Sequence, residues 1–158
     1  MTSDNDVPIS HLQRRKIEGR VLIPFIETLR QKLGEDLAGE ILDTTIRRLA
    51  VDDGRRWAES YGQGMDSLKR VAEDVWAGGG SLDLQIIGQS EKHLDFDVTR
   101  CAYAEFYQAW GLADIGYRIH CNRDHAMVSG FNDTLELSRS QTLMQGAAHC
   151  DFRYRSKS

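Results

Sequence analysis

The side chains able to do chemistry crowd into one stretch: Cys101, His120, Cys121, Asp124, His125, His149, Cys150 and Asp151. All three cysteines of the chain fall there. Of the thiols, Cys101 points most directly to covalent chemistry. A helix is expected to begin near Thr99 as N-cap, and the first turn of a helix holds unpaired amides whose positive field lowers a thiol pKa. The thiolate is the form that attacks carbon. The competing reading is a small hydrophobe in the core, since free cysteine is among the most buried residue types. Asp124 is expected to cap the turn through Met127, or to transfer protons if burial raises its carboxyl.

Strand alternation divides the conspicuous His149-Cys150-Asp151-Phe152 run. His149 and Asp151 take one face, and Cys150 and Phe152 take the other. The preceding strand carries an anomaly, because the apolar face of Leu135 and Leu137 continues into Arg139 and Gln141. An arginine on a core face needs a partner, which could be Asp124, Asp151 or a ligand carboxylate, unless it snorkels at the strand end. A zinc or iron site drawn from Cys101, Cys121, His149, Cys150 and Asp124 is chemically conceivable, but the spacings are long and unpaired, so no cofactor is expected. The chain has no phosphate-cradling glycine loop, Gly-x-Ser-x-Gly elbow, His-Glu-x-x-His or Cys-x-x-Cys, and Gly78-Gly79-Gly80 is not followed by Lys-Ser/Thr.

The elements that must position these groups can be read from hydrophobic periodicity. Residues 1–8 read as a polar tail. Leu12 to Leu33 then follows helical spacing, with a kink or fresh start expected at Pro24. A second helix is expected from Gly34 to about Gly62, with Asp52-Asp53-Gly54 as a potential break, and a third from Met65 to Trp76. The triple glycine is the boundary at which the period changes. Leu82, Leu84 and Ile86, then Leu94, Phe96 and Val98, alternate as half-buried strands joined by a turn at Gly88 to Glu91. A helix carrying Tyr103, Tyr107 and Trp110 follows, then a shorter one through Ile115 and Ile119 to Cys121. Strands across 134–143 and 149–155 close the pattern. The fold class is α+β, with N-terminal helices followed by a small antiparallel sheet with inserted helices. One domain is expected over 9–158, comprising a helical part at 9–77 and a site-bearing part at 81–155.

Composition narrows the function classes. With 158 residues, 41% hydrophobic and 28% charged, the sequence sits with globular proteins. A net charge of −4 argues against a nucleic acid or anionic membrane surface as partner. The run Gln13-Arg14-Arg15-Lys16 reads as a solvated helix face. The N-terminal residues show no signal pattern, and the longest apolar stretch, Val21 to Ile26, is far short of a membrane span, so the cytoplasm is the expected compartment and free thiols the expected state. The N-terminal helices offer a surface for a homo-oligomer.

The order of these residues resembles the L-2-amino-thiazoline-4-carboxylic acid hydrolase family. The resemblance rests on Phe96-Asp97-Val98-Thr99-Arg100-Cys101-x-Tyr103, Gly111-Leu112, Cys121-x-x-Asp124 and Gly130-Phe131-Asn132. It continues in Leu135-x-Leu137-x-Arg139-x-x-Thr142 and Gly146-x-x-His149-Cys150-Asp151-Phe152-Arg153-Tyr154. The resemblance implies a hydrolase that opens a carbon–nitrogen bond in a small cyclic amidine-like substrate. On that basis Cys101, Asp124 and His149 are the expected catalytic residues, with Arg139 on the substrate carboxylate and Thr142, Asn132 and Tyr103 lining the substrate site. Cys121, Cys150 and Asp151 are expected to support them. The C-terminal pattern is also similar to vinyl-reductase-type small-molecule-binding domains, so a non-catalytic binding or sensor domain is the alternative.

Overall fold

The structure, a computed structural model, describes residues 8–157; the tail expected over 1–8 lies outside the described residues except for Pro8. Ser10 opens the first helix, α1 (His11–Leu33), with a reciprocal cap. Its hydroxyl accepts from Gln13 N at 3.1 Å, and the Gln13 side chain accepts from Ser10 N at 3.0 Å. The helix runs through Pro24 without the break expected there. Pro24 lies on the exposed side, where water can reach the Arg20 carbonyl that proline leaves unpaired, while Ile23 and Ile26 anchor the opposite side in the core.

Gly34, at φ 84°, turns the chain into α2 (Glu35–Tyr61), which also continues past its expected break at Asp52-Asp53-Gly54. The reason is tertiary. A Cβ on Gly54 would lie 2.1 Å from the Met127 carbonyl oxygen, and one on Gly130 would lie 2.1 Å from that of Val51. The glycines therefore let α2 press directly on α6 (Arg123–Phe131), and that contact stabilises a helix through a residue of poor helix propensity. The third helix, α3 (Met65–Arg70), widens into a π-helical stretch, Val71–Trp76, before the triple glycine.

The sheet is four-stranded and antiparallel throughout, in the order β1-β2-β4-β3. Its strands are β1 (Leu82–Gln89), β2 (His93–Cys101), β3 (Leu135–Ser138) and β4 (Cys150–Ser156). Alternation works as expected in the central strands. Leu94, Phe96 and Val98 of β2 and Cys150, Phe152 and Tyr154 of β4 are buried on one face, with the Phe96 and Phe152 rings stacked at 4.9 Å. The other face carries ion pairs across β2 and β4, Asp97 with Arg153 at 2.9 Å and Asp95 with Arg155.

Two boundaries differ from expectation. Strand β2 extends to Cys101 because Leu82 and Asp83 pair with Cys101 and Arg100, so Cys101, not Thr99, caps α4 (Ala102–Ala109). Strand β3 stops at Ser138, short of the expected 143. There the Asp151 carboxylate captures the Ser140 and Gln141 amides, each at 2.9 Å, and Thr142 caps a short 3-10 turn over Leu143–Gln145. Between α4 and α6 come α5 (Ala113–Gly116) and a second π-helical stretch, Tyr117–Cys121.

Buried side chains form two clusters. One joins the sheet face to α3 and α6, and the other joins α1 and α2 to α4 and the Tyr117–Cys121 segment. Along the outer side of α1 and α2, Ile17, Val21, Phe25, Leu37, Ile41 and Leu49 remain exposed. No described helix is long and apolar enough to cross a membrane.

Candidate functional site

Between the two clusters lies a cavity of about 120 Å³, close in size to the ~150 Å³ engineered cavity that holds a benzene ring. Its walls come from both halves of the chain. The sheet contributes Val98, Cys101, Cys150 and Phe152; α6 contributes Arg123, Asp124 and Met127; α1 and α2 contribute His11, Arg15, Asp53 and Trp57.

All three thiols line the cavity, Cys101 and Cys150 from the sheet and Cys121 from the Tyr117–Cys121 stretch. Cys101 accepts a hydrogen bond from Ala104 N at 3.4 Å, so it does sit at a helix N-terminus, yet burial outweighs that bond and pushes its thiol up to about 11. The lowered thiol pKa expected from sequence is therefore corrected: desolvation of the thiolate exceeds the contribution of one amide. Burial also raises Cys121 and Cys150, and the latter accepts from Leu143 N at 3.2 Å. In the resting protein all three are thiols.

Asp124 lies in the first turn of α6 and does not cap it; the N-cap is Asn122. Its Oδ2 accepts from Arg139 Nη1, and burial raises its carboxyl even though the Arg139 charge pulls the other way. Arg139 is committed. Its Nη2 donates to the Cys121 carbonyl at 3.1 Å and its guanidinium lies 5.3 Å from the Phe152 ring centroid. Of the partners considered from sequence, the structure selects Asp124, and the expected role on a substrate carboxylate has no free donor fork to support it.

The expected residues divide cleanly. Cys101, Tyr103, Cys121, Asp124, Arg139 and Cys150 line the cavity, with Tyr103 OH donating to the Trp76 carbonyl at 3.0 Å. The other four do not reach it. His149 points to the polar face of the sheet, beside Gln141 and 3.6 Å from Asp97. Asp151 holds Ser140 and Gln141. Thr142 caps the 3-10 turn, and Asn132 bonds Gln63 O and Thr134 N.

Sequence reasoning missed the opposite wall. Arg15, read as part of a solvated face, is only 7% exposed and donates from Nη2 to Asp53 Oδ2 at 2.9 Å. Arg123 donates to the same oxygen at 2.9 Å. Burial alone would raise the Asp53 carboxyl, and the Arg123 hydrogen bond together with the Arg15 charge outweighs it, leaving it below the ordinary value. Nearby, burial and then Arg15 lower His11 to about 4, and burial takes His120 well below its usual value. His120 Nε2 lies 3.2 Å from Tyr107 OH. A signal was available: Arg15 shares the buried stripe of Gly19, Ile23 and Ile26, and Asp53 shares that of Leu42, Ile46 and Ala50. Among the described residues, no three His, Cys, Asp or Glu side chains are grouped so as to hold a metal ion.

A sequence profile described as L-2-amino-thiazoline-4-carboxylic acid hydrolase matches residues 14–154. The chain belongs to this family. The match spans α1 and α2 as well as the sheet. No curated protein sequence matches this member. Among solved structures, it is similar to a trafficking protein particle complex subunit 3 from Naegleria fowleri covalently bound to palmitic acid. That similarity has 11% identity and a TM-score of 0.54, covering 90% of this chain and 97% of the other. It is also similar to the phenol-responsive sensory domain of the transcription activator PoxR with phenol, at 11% identity and a TM-score of 0.55, covering 99% of this chain and 79% of the other. At such identity these likenesses show a shared fold.

Proposed function

We propose that this family member is a hydrolase that opens a carbon–nitrogen bond in a small cyclic amidine-like heterocycle, of which 2-amino-thiazoline-4-carboxylate is the type. The observation that carries the reading is a single-ring cavity lined by both Cys101 and a buried Asp124 whose carboxyl is raised by that burial. They are near enough for the Asp124 charge to act on the Cys101 thiol.

In the proposed cycle, Asp124 takes the Cys101 proton as sulfur bonds to the amidine carbon, then returns that proton to the ring nitrogen as the carbon–nitrogen bond breaks. Water next adds to the same carbon, and the carbon–sulfur bond breaks to release the product and restore the thiol. A carboxyl that burial raises above its ordinary value suits both transfers. Because the resting thiol lies near 11, proton transfer must accompany attack. Arg139 keeps Asp124 in place and is a positioning residue. His149, remote from the cavity, has no part in this scheme.

The second reading is a small-molecule sensor domain, favoured by the fold shared with the phenol-responsive domain and by a cavity of single-ring size. One experiment separates the two. Purified protein is incubated with cyclic amidines, hydantoins and thiazolines, and mass spectrometry follows the gain of one water. Ring opening that is lost in Cys101→Ser supports covalent catalysis. Turnover that survives the substitution transfers the attack to water, and tight binding with no turnover across the panel establishes the sensor reading.

A further inference from the structure

The α1, α2 and α6 wall holds more positive charge than its own carboxylates neutralise. Inside the protein, Arg15 and Arg123 share the single Asp53 carboxylate. Adding the rim partners does not change the balance: Glu18 pairs with Arg15 at 2.6 Å and the mostly exposed Arg56 pairs with Asp53. Two arginines stand against one acid, or three against two, so one positive charge is left over in either case. The neighbouring imidazoles of His11 and His120 are neutral at physiological pH. Asp124, also on α6, is paired with Arg139, so that pair adds no net charge.

The surplus is accessible from the cavity. Arg123 is buried, and among the described residues its only side-chain hydrogen bond is from Nη2 to Asp53. Its Nε and Nη1 are unpaired, yet neither is among the polar atoms sealed from accessible space. Arg123 itself lines the cavity. A desolvated guanidinium with free donors and no balancing charge is costly unless an anion completes it.

We infer that Arg123 forms a carboxylate subsite, with the committed Arg15 adding only its charge, and that this subsite gives the cavity its preference for monoanionic single-ring ligands over neutral ones. The inference rests on the reading of the cavity as a ring-binding site and replaces Arg139 as the carboxylate partner. Arg123-Asp124 thus places the charge-recognising group and the proton-transfer group on adjacent residues of α6. The carboxylate end of a ligand then lies toward α1 and α2, and its amidine carbon lies toward Cys101.

The test is calorimetric titration of the intact protein with 2-aminothiazole-4-carboxylate, whose aromatic ring resists opening, and with the neutral 2-aminothiazole-4-carboxamide. The carboxylate is expected to bind at least tenfold tighter. Arg123→Gln should lose that preference, its carboxylate affinity falling to that of the carboxamide, while Arg123→Lys, which keeps the charge, should retain part of it. Equal affinities in the wild type overturn the subsite whether or not the variants fold, as does an Arg123→Gln protein that retains the preference. If neither compound binds, the ring-binding reading falls with it. If uncharged amidines are opened as fast as carboxylates, the subsite falls and the hydrolase survives.

Discussion

Asp53→Ala isolates the energetic role of the buried arginine pair. The substitution removes the acceptor of two hydrogen bonds of 2.9 Å, from Arg15 and Arg123, and leaves both guanidiniums without their shared counter-charge. Breaking a buried ion pair by deleting one partner costs roughly 3–5 kcal/mol. Here Arg15 keeps Glu18 as a second partner, so the lower end, about 3 kcal/mol, is expected. For a domain of this size that corresponds to a fall in Tm of roughly 6–12 °C. The pH dependence supplies a second signature. The folded Asp53 pKa lies below its unfolded value of 3.8, so its contribution is fully present above that value and disappears as pH falls through the folded pKa. The gap between wild type and variant in urea unfolding should therefore be constant near neutrality and close in acid, below 3.8. A loss under about 1 kcal/mol at neutral pH, the level of an exposed ion pair, would refute the reasoning, as would a gap that does not narrow at all as the pH falls below 3.8.

Gly130→Ala tests the α2 and α6 contact. Its Cβ would fall 2.1 Å from the Val51 carbonyl oxygen, so the helices must separate, and a net loss of about 2 kcal/mol in urea unfolding is expected despite alanine's better helix propensity. Cys101, raised from 9.0 to about 11, should be alkylated by iodoacetamide roughly a hundredfold more slowly near pH 7 than an exposed thiol in a Cys121→Ser, Cys150→Ser background. An unhindered rate measured by mass spectrometry would contradict its burial. His11 should titrate near 4 by NMR. Because the unfolded imidazole takes its proton at 6.5 and the folded one does not, His11 costs stability as pH falls from 6.5 toward 4, and a midpoint above 6 contradicts the placement.

The α+β order, the three leading helices and the central strands are legible in the sequence because each follows a local period. Alternation correctly separates Cys150 and Phe152 from His149 and Asp151, and it flags Arg139 as an arginine that needs a partner. What local rules miss depends on contacts far apart in the chain. Proline at 24 and glycine at 54 are helix breakers by propensity, yet one faces solvent and the other is required where two helices touch. The amide field at Cys101 is present as expected, but the pKa is decided by burial that only the assembled walls create.

The missing half of the site has the same origin. A charge run such as Arg14-Arg15-Lys16 looks solvated when read consecutively, whereas reading every third or fourth position places Arg15 on the buried stripe of α1. Asp53 stands on the buried stripe of α2, thirty-eight residues away, and Arg123 comes from a third helix. Each is anomalous on its own stripe, and the three account for one another only after Gly54 and Gly130 bring α2 against α6. The packing glycines and the charged wall are thus parts of one device: without the close helix crossing, Asp53 could not hold Arg123 at the cavity, and the residue beside it, Asp124, would lose its fixed place in the cavity wall.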